Sequence, residues 1–161
     1  MTTRPAVKST PEAQLKTFLG RFDPKNQKLI RTLRTALRKR FPSANELVYD
    51  YSNSVVIGYS STEAGIDSVV AIAGRADGVS LYLNQGHQLP DPKGILLGSG
   101  KQTRFIPVET ATRLAHPDVK ALIAGAVELA KVPMPSKGKG TLMIRSSAAK
   151  KKARAKSKSK K

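Results

Sequence analysis

The chain has 161 residues, with 29 Lys and Arg against 11 Asp and Glu, and a formal charge of +18 at pH 7. A hydrophobic share of 39% permits a packed core, and the length suits one domain of about 100–150 residues with some excess. The absence of Cys excludes a disulfide framework, a thiolate nucleophile and a Cys-type zinc site. The longest uninterrupted apolar run, Val69 to Ala73, is five residues, against about 18 for a membrane helix. The opening MTTRPAVKSTPEAQ lacks the apolar region of a secretory signal. A soluble cytoplasmic protein attracted to polyanions is the expectation.

Thr10-Pro11-Glu12 reads as a helix start: a capping hydroxyl, a proline at the first helical position, and an acid at the positive end of the helix dipole. A short helix to about Leu19 follows. Asp23-Pro24 repeats the signal, and Leu29, Ile30, Leu33, Leu37 and Phe41 recur at helical spacing until Pro42. On that helix Lys28, Arg31, Arg38 and Lys39 fall opposite Leu33, with Arg34 at the flank, so a cationic stripe backs a core face.

From Glu46 the period changes to two. Leu47, Tyr49 and Tyr51 alternate with Glu46, Val48 and Asp50, then Ser52-Asn53-Ser54 supplies turn residues before Val55-Val56-Ile57. Ser68 to Gly74 is a further strand, and Asp77-Gly78 is a short-hairpin signal before Val79, Leu81 and Leu83. These segments predict a four-stranded meander. The connection 85–102 is long for a compact domain, and Asp91-Pro92 with Gly98 could bound one helical turn inside it. Thr103 to Val108 returns to strand character. After His116-Pro117, the apolar set Val119, Leu122, Ile123, Ala126, Val127 and Ala130 predicts a helix ending before Pro133, and Thr141 to Ser146 reads as a closing strand. The fold class is α+β, with helices packed on one face of a mainly antiparallel sheet.

The charge is unevenly placed. Residues 148–161 hold Lys150, Lys151, Lys152, Arg154, Lys156, Lys158, Lys160 and Lys161, with no acid and otherwise only Ala and Ser. Such a segment lacks the apolar area to offset the entropy of ordering, so it is predicted to be a disordered tail, as are residues 1–8, around a domain at 9–147. The first 147 residues keep 21 basic and 11 acidic side chains, a net +10. Phosphate neutralisation by the eight tail cations alone would give a log–log salt slope of up to about −7 on duplex DNA. The tail and helix stripe therefore predict weak, nonspecific nucleic-acid or polyanion binding.

Leu81-Tyr-Leu-Asn-Gln-Gly86, Leu89-Pro-Asp-Pro92 and Leu96-Leu-Gly-Ser-Gly-Lys-Gln-Thr-Arg104, with the first-strand segment Glu46 to Tyr49, resemble the YdhG-like family of small bacterial proteins. The resemblance covers roughly residues 10–130. It implies a frataxin-like helix-on-sheet sandwich, and an intracellular iron chaperone role described for some members. An iron site of that kind would need hard oxygen ligands, carboxylates on an early helix and a strand edge.

No catalytic signature emerges, and a non-enzymatic protein is expected. The loop from Gly94 to Gln102 fails as a phosphate-binding P-loop, since five residues separate Gly94 from Gly100 and Gln102 follows Lys101. Gly98 and Gly100 could still bring backbone amides to a small anionic ligand, with Lys101, Arg104 and His87 supplying polar groups. His87 with Asp77 and Asp91 is a candidate metal or acid–base cluster, whereas His116 reads as a helix-start residue. Tyr49, Tyr51, Tyr59 and Tyr82 are either base-stacking groups on an open sheet face or strand packing.

Overall fold

The computed structural model describes residues 10–146, so the tail 148–161 and the N-terminal residues 1–8 lie outside the described residues. Helices α1 (Pro11–Leu19) and α2 (Pro24–Arg40) begin where their caps predict. Thr10 Oγ1 accepts a hydrogen bond from the Ala13 amide at 3.2 Å, and Asp23 Oδ1 accepts one from the Asn26 amide at 2.8 Å. Strands β1 (Asn45–Asp50), β2 (Ser54–Ser60), β3 (Ser68–Arg75) and β4 (Gly78–Leu83) form the expected antiparallel meander, and β5 (Arg104–Val108) extends it antiparallel to β4. Helix α3 (Pro117–Leu129) follows. Strand β6 (Leu142–Ser146) then returns to the far edge and pairs parallel with β1, giving the order β5-β4-β3-β2-β1-β6. The sheet is thus mixed through this one pairing.

The register sets Glu46, Val48 and Asp50 beside Tyr59, Ile57 and Val55, and continues through Ile72 and Gly74 to Leu81 and Val79. That face receives the helices. A Cβ on Gly74 would meet Ile30 of α2 at 2.7 Å and the Phe22 ring at 3.4 Å. Leu15, Leu33, Leu37, Val119, Leu122 and Ile123 complete one continuous core with these strand residues. Among the described residues, no helix is long and apolar enough to cross a membrane.

The connection 85–102 departs from its predicted form. Its helical turn falls at Gly86–Gln88, ahead of Asp91. The Asp91 carboxylate instead accepts hydrogen bonds from the amides of Ile95 and Leu96 at 3.0 and 2.9 Å, and this folds 91–96 into a tight loop with Gly94 at φ +62°. Leu97 then exchanges two backbone hydrogen bonds with Phe105, so the loop shields the outer edge of β5. Gly98, at φ +115°, lies against the Phe105 ring, a conformation that disfavours a side chain.

Two acids point into the helix layer. Glu46, 4% exposed, accepts hydrogen bonds from Tyr59 Oη at 2.8 Å and from Arg34 Nε at 2.9 Å, with Arg38 Nε 3.4 Å away. The other side of the same Arg34 guanidinium grips Glu12 of α1 at 2.6 and 3.0 Å. Burial would lower the Arg34 pKa, but the hydrogen bonds to Glu12 and Glu46 outweigh it and raise the value. Burial first, and then the Glu46 charge, pushes the Tyr59 phenol well above its ordinary value. Asp50, also buried, is held by Arg21, which additionally donates to the Tyr51 carbonyl at 3.0 Å.

The parallel strand depends on one glycine. Gly140 donates to the Pro42 carbonyl at 2.9 Å, and a Cβ there would sit 1.6 Å from the Ala44 carbonyl oxygen. Thr141 then donates to Asn45 Oδ1 and accepts from the Glu46 amide, which starts the β1–β6 ladder.

Three outcomes follow. Arg34→Met leaves the buried Glu46 only Tyr59 and the more distant Arg38 and should cost up to about 3–5 kcal/mol in urea unfolding, whereas Arg34→Met/Glu46→Leu/Tyr59→Phe, which removes the buried partners together, should regain at least half. Equal losses in the single and triple variants would disprove the network's role. Gly140→Ala should destabilise by about 1–3 kcal/mol in the same assay through forced displacement of the β1 entry. The Arg34 hydrogen bond holds the Glu12 carboxyl below its ordinary value. The unfolded chain therefore binds more protons in that interval, and the pair's stabilisation is complete above the unfolded value of about 4.3 and is lost as pH falls through the folded one. Glu12→Gln should flatten the fall in stability between about pH 5 and pH 3.

Candidate polyanion-binding face

Helix α2 carries Lys25, Lys28, Arg31, Arg34, Arg38, Lys39 and Arg40, and no acid. Its core side is set by Leu29, Ile30, Leu33 and Leu37, which leaves Lys28, Thr32, Thr35 and Lys39 within about 60° of one another on the outermost ridge. Arg31 flanks the ridge on one side and Lys25 on the other. The two threonines turn their hydroxyls onto the Lys28 and Arg31 carbonyls at 2.9 and 3.0 Å, so the ridge between the cations is low and smooth. Arg31 Nη2 is steadied by Gln27 Oε1 at 2.9 Å. Lys28 and Lys39 stand about 16 Å apart along the axis, at 1.5 Å per residue.

The structure sorts the predicted stripe. Lys28, Arg31 and Lys39 are exposed and make no ion pair among the described residues, and Lys25 and Arg40 share that state. Arg38 is partly spent inward, 3.4 Å from Glu46 and 3.9 Å from Glu12. Arg34, placed at the flank by the helical wheel, is fully committed beneath the ridge. The last-turn Arg38, Lys39 and Arg40 also complement the negative end of the helix dipole, so part of this charge serves the fold. The remaining sequence-predicted cations, Lys150, Lys151, Lys152, Arg154, Lys156, Lys158, Lys160 and Lys161, lie outside the described residues.

The anion-loop residues are arranged differently. Arg104 Nη1 donates to the Gly100 and Thr103 carbonyls, and the His87 ring Nδ1 lies 3.0 Å from the Gln102 carbonyl, with Gln88 Nε2 3.3 Å from its Nε2. His87 and Arg104 thus both direct a side-chain nitrogen at main-chain carbonyls of 100–103. Lys101 is exposed, and Gly98 packs on Phe105. Asp91 caps its own loop, and His116 accepts from the Asp118 amide at 3.2 Å as the cap of α3. Tyr59 belongs to the core, while Tyr49 stacks on Tyr51 and Tyr82 on Phe105 with centroids 6.4 and 5.2 Å apart.

The oxygen donors that an iron site would require do not fit one here. Glu12 on the first helix and Glu46 on the first strand converge, but on the guanidinium of Arg34, and a fixed cation there repels a metal ion. No group of three or more His, Asp or Glu side chains placed to hold a metal occurs among the described residues. The wheel underrated Arg34 and Arg38 because their acids come from α1 and β1, elements it does not contain. Compared with known protein families, curated proteins and solved structures, the chain has no significant match in any of the three, and the functional reading rests on its own residues.

Proposed function

We propose that this protein is a non-enzymatic domain that binds nucleic acid or a similar polyanion without sequence preference, through the outer ridge of α2 and the basic residues of 148–161. The observation that carries the reading is a 17-residue helix whose exposed Lys25, Lys28, Arg31, Lys39 and Arg40 have no carboxylate partner among the described residues. Unpaired surface cations at this spacing release counterions from a phosphate chain without any defined pocket. The contacts this spacing supplies are to the phosphate backbone, which carries no sequence information. A YdhG-like, frataxin-like sandwich is part of the same proposal, supported by the element order of two helices, an antiparallel meander, a third helix and a closing strand. The iron role implied by that resemblance is left aside, because the carboxylates it would use are bonded to Arg34.

Fluorescence anisotropy with a labelled DNA duplex at 50 to 200 mM salt tests this. The full chain should bind with a steep negative salt slope. Lys28→Glu/Lys39→Glu should lower affinity at least about tenfold and make the slope shallower by about 2, at about 0.9 per phosphate contact. Absent or salt-independent binding by the full chain rejects the proposal, and an unchanged slope in the variant removes α2 from it.

A further inference from the structure

The helix layer leaves a hollow. Between the C-terminal half of α2 and the start of α3, with the 3-10 turn Ala111–Ala115 as a third wall, lies an open groove of about 500 Å³. Its apolar lining is Ala36, Ala111, Leu114 and Ala115, with the buried Ile123 beneath them. Three of these five are alanines, and the shortness of their side chains is what leaves the space. Its rim carries Lys39, Arg40 and Lys120, and no acid lines it. The acids nearest in sequence belong elsewhere: Asp118 faces His116 at 3.6 Å and lines a separate hollow against Leu89 and Ile95, and Glu109 lines another beside Arg113. Lys39 and Lys120 make no ion pair among the described residues, and the Arg40 guanidinium lies over the Phe41 ring at 5.3 Å, which holds it at the groove's end.

An apolar floor of this size with cations on its rim selects against simple ligands. Inorganic phosphate would leave the floor wet, and a neutral hydrocarbon would leave the cations without a counterion. A molecule with both an apolar body and one negative head uses both, and the volume is within the range of small-molecule sites, about 300–1,000 Å³. We propose that this groove is a binding site for a small amphipathic carboxylate, its alkyl or aryl body lying along Ala36, Ala111 and Leu114 and its head between Lys39 and Lys120. This goes beyond polyanion binding on the ridge, which needs no apolar surface.

Titration of the isotope-labelled full chain with decanoate, followed by amide chemical shifts at 150 mM salt, is the test. Saturable shifts are expected at Ala36, Lys39, Ala111, Ala115 and Lys120. Butyrate, which has the head without the body, and decyltrimethylammonium, which has the body with the opposite charge, should leave those amides in place. Lys39→Glu/Lys120→Glu should weaken decanoate about tenfold. Ala36→Phe, at an exposed helical position that tolerates a larger side chain, should do the same by filling the groove. Equal shifts from butyrate would show charge alone, and equal binding of decyltrimethylammonium would show apolar surface alone. Shifts centred elsewhere, or unaltered binding by both variants, would likewise overturn the proposal.

Discussion

Arg34 is the residue on which the rest of the molecule turns. Its guanidinium reaches Glu12 on one helix and Glu46 on the first strand while its stem rises from another helix, so one side chain ties three elements together. A half-buried guanidinium is tolerable only because five donors in a rigid fork match two carboxylates at once, a geometry that lysine does not have. Tyr59 completes the set by donating to the same Glu46 carboxylate from the neighbouring strand. The arrangement also fixes register. A one-residue slip of β1 would carry Glu46 and Asp50 to the opposite face and strand Arg34 and Arg21 at the helix layer.

The network has an electrostatic consequence. Two of the 11 acids in the chain, the buried Glu46 and the exposed Glu12, are engaged by Arg34 of α2, and the cations pointing outward keep their full field. An acidic ridge, as an iron site would need, and this network are mutually exclusive uses of the same carboxylates. Burying Glu46 against Arg34 thus keeps that carboxylate away from the outward cations of α2.

Much of this was legible in the sequence, and the boundary is instructive. Helices α1, α2 and α3 announced themselves through Thr10, Asp23 and His116 before prolines and through apolar spacing, all local signals. The hairpin at Asp77-Gly78 was equally local. What escaped was set at long range. The parallel pairing of β6 with β1 depends on Gly140 lodging against Ala44, nearly a hundred residues earlier, and no periodicity encodes that. The loop 85–102 carried a helix-start signal at Asp91, but its carboxylate bonds the amides of Ile95 and Leu96, four and five residues on, where a cap would bond two or three residues on. Arg104 looked like a ligand group because its partners, the carbonyls of its own loop, have no sequence signature at all.

Ridge and groove meet at the last turn of α2, and one shared residue makes the two proposed activities dependent on each other. Lys39 serves both surfaces, whereas Lys28 and Arg31 lie on the ridge alone and Arg40 and Lys120 on the groove alone. An anionic head between Lys39 and Lys120 neutralises charge that a phosphate chain on the ridge would otherwise use, so occupancy of one weakens the other. Because coupling free energy is reciprocal, the polyanion must weaken the carboxylate by the same factor. The residues unique to each surface are therefore the ones that separate the activities. Any effect of Lys39 alone belongs to both, and only its contrast with Lys28 on one side and Lys120 on the other assigns it.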